Sequence, residues 1–118
     1  MAGEKNFENR VKRWLESQGV WHVKFFANRN TRAGVPDILA CVNGRFVGIE
    51  LKGPNGKPSP LQVYHCGKIT ESGGIAVIVW PDDFAQFKRL VSRLKEEGGN
   101  CDVQDLLFEG RYLHPMPA

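Results

Sequence analysis

The sequence predicts an α/β fold, a mixed central sheet flanked by helices, on three observations. Asn43-Gly44 stands between two apolar runs, DILACV (37–42) and RFVGIELK (45–52), and such a pair is the strongest short-range hairpin signal. A helical pattern then leads to a continuous apolar run, IAVIVW (75–80). That strand–helix–strand unit should cross over right-handed, placing 75–80 parallel to 45–52. Amphipathic helical patterns open and close the series.

The first helix is expected over about residues 4–18. Phe7, Val11, Trp14 and Leu15 keep helical spacing, and Gly19 stands where a helix stops. VWHVKFF (20–26), rich in β-branched and aromatic types, reads as a strand, and ANRNTRAGVP (27–36) as a polar loop. After the hairpin, GPNGKPSP (53–60) is too dense in Pro and Gly for anything but a loop. Ser59 is a good N-cap, Pro60 suits the first helical position and Gln62 completes a capping box. That helix should stop at Gly73-Gly74. Asp82 is the expected cap of a last helix with Phe84, Phe87, Val91 and Leu94 on one stripe, ended by Gly98-Gly99. Leu106, Leu107 and Phe108 read as an edge strand, a partner contact or plain core. The predicted order is αβββαβα.

The 118 residues fit one domain. No apolar run approaches the ~20 residues of a membrane-spanning helix, and the N-terminal residues lack the apolar core of an export signal. Cys41, Cys66 and Cys101 are odd in number and form no CxxC pair, which argues against a disulfide framework or zinc site and for a reducing cytoplasm. Net charge is only +3. Yet between Ser17 and Thr70 there are two acids, Asp37 and Glu50, against seven bases: Lys24, Arg29, Arg32, Arg45, Lys52, Lys57 and Lys68. That segment is +5 and the flanks together −2, so the middle of the chain suits an anionic partner such as a phosphate backbone. A plain solvated basic surface would give the same count.

Counting outward from a two-residue turn, Val42 faces Arg45, Cys41 Phe46, Ala40 Val47, Leu39 Gly48, Ile38 Ile49, and Asp37 Glu50. The only two acids of the segment become cross-strand neighbours, with Cβ atoms ~4.5–5.5 Å apart, an arrangement that repels. A shared proton, a nearby lysine or a divalent cation would offset it. Such a pair suits oxygen-seeking Mg²⁺ or Mn²⁺. Strand alternation puts Phe46, Gly48, Glu50 and Lys52 on one face, with Gly48 leaving a gap there. Val47, Ile49 and Leu51 point to the other face, the expected core. Two carboxylates, an ammonium and a gap are the equipment for phosphodiester hydrolysis. An isolated ExK is frequent and is often only an exposed ion pair; the joint pattern is far less common.

GVPD (34–37), IELK (49–52) and the PLQ step (60–62), with the helix ENRVKRWLESQG from Glu8, resemble the VRR-NUC branch of the PD-(D/E)xK nucleases, the virus-type replication-repair nucleases. The resemblance spans roughly residues 8–80. It implies a restriction-endonuclease-like αβββαβ core and a metal-dependent endonuclease hydrolysing DNA, with residues 1–99 as the nuclease domain and 100–118 as its C-terminal extension. Carried over by position, Asp37, Glu50, Lys52, Gln62 and Glu8 are the catalytic set. Asp37, Glu50, the backbone carbonyl of Leu51 and Glu8 would hold the metal, Glu8 directly or through water. Glu8 could equally be a solvated charge paired with Lys12, and Gln62 only a cap. Lys24, Arg29, Arg32 and Lys57 are the candidate phosphate contacts. Trp14, Trp21 and Trp80 are expected in the core, and His22 and His65 as ordinary surface or half-buried residues. Branched DNA such as a four-way junction is the expected substrate, a homodimer the expected assembly, and a bacterial cytoplasm, with phage origin allowed, the expected location. Alternatives are an inactive DNA-binding module of the same fold, an RNA-directed nuclease, and a structural protein without metal affinity.

Overall fold

A computed structural model describes residues 2–97. In chain order they form α1 (Ala2–Ser17), β1 (Trp21–Lys24), β2 (Ile38–Val42), β3 (Arg45–Leu51), α2 (Pro60–Glu71), β4 (Ile75–Val79), a single 3₁₀ turn (Pro81–Asp83) and α3 (Phe84–Glu97). The expected helix stop at Gly98-Gly99, the extension 100–118 and the apolar Leu106–Phe108 lie outside the described residues. The four strands make one sheet in sequence order, antiparallel except for the parallel β3–β4 pair that the crossover requires.

The hairpin register runs from Val42↔Arg45 through Ala40↔Val47 to Ile38↔Ile49, as the residue count predicts. Asn43 (φ 50°) and Gly44 (φ 83°) both take the positive φ that a tight primed turn demands. β1 is shorter than the apolar run that predicts it, because its pairing with β2 ends at Lys24↔Ile38. Only one backbone bond lies beyond, from Phe25 N–H to the Asp37 carbonyl (2.8 Å).

The two faces of the sheet are unlike. On one, β2 presents Ile38, Ala40 and Val42, β3 presents Val47, Ile49 and Leu51, and β4 presents Ile75, Val77 and Val79, all buried under α1 and α3. Phe7, Val11 and Leu15 of α1 recur every four residues and are buried. Phe7 meets Phe84 edge-on (5.5 Å between centroids), and half-buried Trp14 meets Phe87 (6.0 Å). Each such side chain contributes roughly 1.5–3 kcal/mol by leaving water. On the other face α2 covers only a small cluster, Cys66, Ala76, Ile78 and Trp80.

Three expectations need correction. Asp82 is exposed; the buried Asp83 makes the cap, its Oδ2 accepting from the Trp80 N–H (3.2 Å), because the chain first makes a 3₁₀ turn. Trp21 is 62% exposed, since β1 is an edge strand on the face that α2 leaves bare. Gly48 leaves no gap: a Cβ there would stand 3.1 Å from both Ile69 Cδ1 and Pro36 Cγ, so those side chains already fill the space. Among the described residues no helix is long and apolar enough to cross a membrane.

Candidate active site

The topology gathers the chemistry at one end of the sheet. β1 ends there, β2 begins there just after Asp37, and β3 leaves there after Glu50 and Leu51, so the loops 25–37 and 52–59 flank the same spot. Asp37 sits one position beyond the last paired residue of β2. In place of a further ladder pair, its Oδ2 accepts from the Leu51 N–H (3.0 Å). Within a strand residue, N–H and C=O point to the same side, so strand geometry turns the Leu51 carbonyl to the β2 side of β3.

Glu50 is the most enclosed acid described, at 2% exposure. Its Oε2 accepts from Gln62 Nε2 (2.8 Å) and lies 3.5 Å from Lys52 Nζ. Its Oε1 is buried without a hydrogen-bond partner. Burial foremost, then the Asp37 charge, pushes the Glu50 carboxyl up to about 8, although Lys52 pulls the other way. Asp37 is likewise held above its ordinary value, by burial first and despite the Leu51 N–H and Lys24. Gln62 does two jobs: its Oε1 accepts from the Ser59 N–H (2.8 Å) in the capping box, while its amide holds Glu50.

Glu8 arrives from the opposite face, on α1. Its Oε1 accepts from Lys24 Nζ (2.9 Å), and its Oε2 lies 3.2 Å from Lys12 and 3.6 Å from Lys5. Lys24 continues to Asp37 Oδ1 at 3.8 Å, linking Glu8 to the pair. Burial alone would raise Glu8, but Lys24 and Lys12 outweigh it and hold the carboxyl below its ordinary value. Lys24, expected at phosphate, is thus engaged with carboxylates. The residue count missed this, because Lys24 faces α1 while Asp37 faces α2 and the two meet only around the strand ends. The signal in the sequence was a single charge among the apolar residues VWHVKFF. Arg29 and Arg32 are exposed in loop 25–37 and Lys57 in loop 52–59.

Gly34 anchors the first loop. At φ +86°, an added Cβ would lie 2.8 Å from the backbone and side chain of Leu61, so only glycine lets the loop touch the first turn of α2 beside Gln62.

Among the described residues no group of three or more His, Cys, Asp or Glu side chains could hold a metal ion. Two carboxylates do act on each other, Asp37 and Glu50, with the Leu51 N–H on Asp37. They fit a hard cation on one point of structure: the buried Glu50 Oε1 lacks any partner, in a place that disfavours the bare charge.

No family model matches the chain, and no curated protein does. Solved structures do. One described as a VRR_NUC domain is 26% identical, aligning over 81% of this chain and 97% of its own with a TM-score of 0.60. The Holliday junction resolvase Hjc of the archaeal hyperthermophile Archaeoglobus fulgidus is 19% identical, over 64% of this chain and 66% of its own, with a TM-score of 0.52. The resemblance read from the motifs therefore extends to the fold, a mixed four-stranded sheet with flanking helices like that of these nuclease-type structures.

Proposed function

We propose that the chain is a metal-dependent endonuclease that hydrolyses DNA phosphodiester bonds and prefers branched DNA. The observation that carries the reading is the buried Glu50, with one oxygen held by Gln62 near Lys52 and the other unpartnered, next to Asp37. Asp37, Glu50 and the Leu51 carbonyl would hold Mg²⁺ or Mn²⁺, with Glu8 supporting the site through Lys24 and Asp37. The ion would polarise a phosphoryl oxygen and lower the pKa of a bound water.

The chain's own residues supply the rest. Gln62 fixes the Glu50 carboxylate so that its free oxygen keeps one direction. Lys52 offers an ammonium beside Glu50, where it orients water or stabilises negative charge developing on phosphate. Leu51 and Lys24 hold Asp37 in place. Arg29, Arg32 and Lys57 line the approach and would bind phosphate without reading bases, so sequence preference should be weak and affinity should fall steeply with salt.

The branched substrate rests on the likeness to a solved Holliday junction resolvase, together with the absence of any base-reading element among the described residues. A homodimer would present two such sites to the two strands of a symmetric junction. The test is incubation with linear, nicked, forked and four-way DNA, with Mg²⁺ or Mn²⁺ and an EDTA control, alongside light scattering. Metal-dependent cutting favouring the four-way substrate supports the reading. Equal cutting by a monomer removes the junction and the dimer, and no cutting of any DNA removes the DNA endonuclease.

A further inference from the structure

Of the large apolar side chains described, Phe26 is the most exposed, at 75%. A lone apolar residue on a surface is ordinary; what sets Phe26 apart is its place. It follows β1 in loop 25–37, and the Phe25 N–H donates to the Asp37 carbonyl (2.8 Å), so the loop leaves the strand tied to the backbone of a candidate metal ligand. Lys24 Nζ lies 6.0 Å from the centre of the Phe26 ring and 3.8 Å from Asp37 Oδ1, which leaves the ring centre no more than about 10 Å from that oxygen. Stacked bases rise ~3.4 Å each, so the ring is within about three base steps of the carboxylate pair.

The loop that carries the ring has internal order. Thr31 Oγ1 accepts from the Asn28 N–H (2.8 Å) and Asn28 Oδ1 from the Asn30 N–H (2.7 Å), while Gly34 seats the far end against Leu61. The ring is therefore held out in water beside Lys24, in a stretch whose charges before Asp37 are Arg29 and Arg32 alone. A flat apolar ring among cations is the chemistry that holds single-stranded nucleic acid: the cations take the backbone and the ring takes the face of a base, whichever base it is. Within continuous duplex each base face is already covered by its neighbours, so such a ring favours DNA whose bases are unpaired.

We propose that Phe26 is a stacking platform for an unpaired base within about three nucleotides of the scissile phosphate, and that through it the site selects DNA opened at a branch or fork over continuous duplex. The position of the scissile phosphate rests on the nuclease reading above; the stacking does not.

The test uses the full-length protein and forked DNA carrying 2-aminopurine, whose emission falls when it stacks, at the first, second or third unpaired position. A linear duplex of the same length is the comparison. Binding and emission are read in Ca²⁺, and cutting separately in Mn²⁺. The native protein should bind the fork more tightly than the duplex and quench the probe at one of the three positions. Phe26→Ala should weaken fork binding roughly 5- to 150-fold and abolish the quenching. Phe26→Leu keeps apolar bulk without the ring and should fail in the same way, while Phe26→Tyr should restore both readouts. Melting checks the fold, which so exposed a side chain should not perturb. Fork preference and quenching retained in Phe26→Leu overturn the inference, and so does a native protein that binds fork and duplex alike. Cutting without any Phe26-dependent quenching removes the inference and leaves the nuclease standing. Phe26-dependent quenching without cutting supports the inference and removes the nuclease.

Discussion

Glu8 and Glu50 are both buried carboxylates in the same end of the molecule, at 7% and 2% exposure, yet their surroundings drive them in opposite directions. Glu8 is ringed by Lys5, Lys12 and Lys24, and its proton is held less tightly than in water. Glu50 has one lysine at 3.5 Å, a neutral amide and an acid for a neighbour, and its proton is held far more tightly. Burial acts on both. What differs is whether the chain supplies enough positive charge of its own. At Glu8 it does, as structural ion-pair networks do, although its Oε2 like the Glu50 Oε1 lacks a hydrogen bond; at Glu50 it does not.

The strongest way to break this comparison is at the chemistry. Lys52→Ala should cost ~10²–10³ in cleavage rate, in line with losing one group that stabilises transition-state charge. Mn²⁺ binding by calorimetry should persist, since an ammonium does not ligate a hard cation. Near-normal turnover would remove Lys52 from the mechanism. Asp37→Asn should instead abolish Mn²⁺ binding while the fold survives; equal binding by variant and native protein would dissolve the site.

The pH dependence of stability sharpens the same contrast. In metal-free protein the Glu50 carboxyl is held up to about 8 against an ordinary 4.5, so between those values the folded chain keeps a proton that the unfolded chain has released. Stability should therefore fall as pH rises from about 4.5 to about 8, by a few kcal/mol at ~1.4 kcal/mol per pKa unit. Glu50→Gln should flatten this slope in denaturant titrations. Glu8 has the opposite sign: its stabilisation is present above its ordinary value and is lost only as pH falls through its lowered folded value. A slope untouched by Glu50→Gln would mean that the two acids are alike after all.

Two smaller effects concern the supports. Gly34→Ala forces a side chain into a positive-φ position against the Leu61 backbone. It should cost more than ~1 kcal/mol and lower activity by shifting the Arg29 and Arg32 loop, as melting and kinetics would read. Gln62→Ala should cost ~1 kcal/mol for the cap, with a loss of activity out of proportion to that because Glu50 is also released. Gln62→Glu restores the capping acceptor but not the amide donor, so it separates the two roles.

What the sequence made legible was local. The hairpin register followed from a two-residue turn and alternation of period two. The α2 cap followed from three residues, and the parallel β4 from the handedness of crossovers. The site was legible as far as it lies on those elements: Asp37, Glu50, Lys52 and Gln62 come together as their positions imply. Lys24 was not, because it reaches Asp37 around the sheet end rather than across a strand. Nor was the filled space at Gly48, since Pro36 and Ile69 come from a loop and a helix whose approach no periodicity encodes. Trp21 was expected in the core and is exposed, because nothing local says which half of a face α2 will reach.

The two-residue turn at Asn43-Gly44 also sets a timetable. β2 and β3 can zip from that turn in microseconds, whereas β4 must wait for the chain between residues 52 and 74 to coil into α2 and swing across. Asp37 and Glu50 both ride on the early hairpin. On that order they would meet while still hydrated, before Gln62 and the walls of α2 arrive. The repulsion between them is met first in water, where it is weak, and desolvation falls only on the final docking step. With desolvation of the pair falling after the transition state, adding the cation should act mainly on the unfolding rate, which stopped-flow unfolding with and without Mn²⁺ would read.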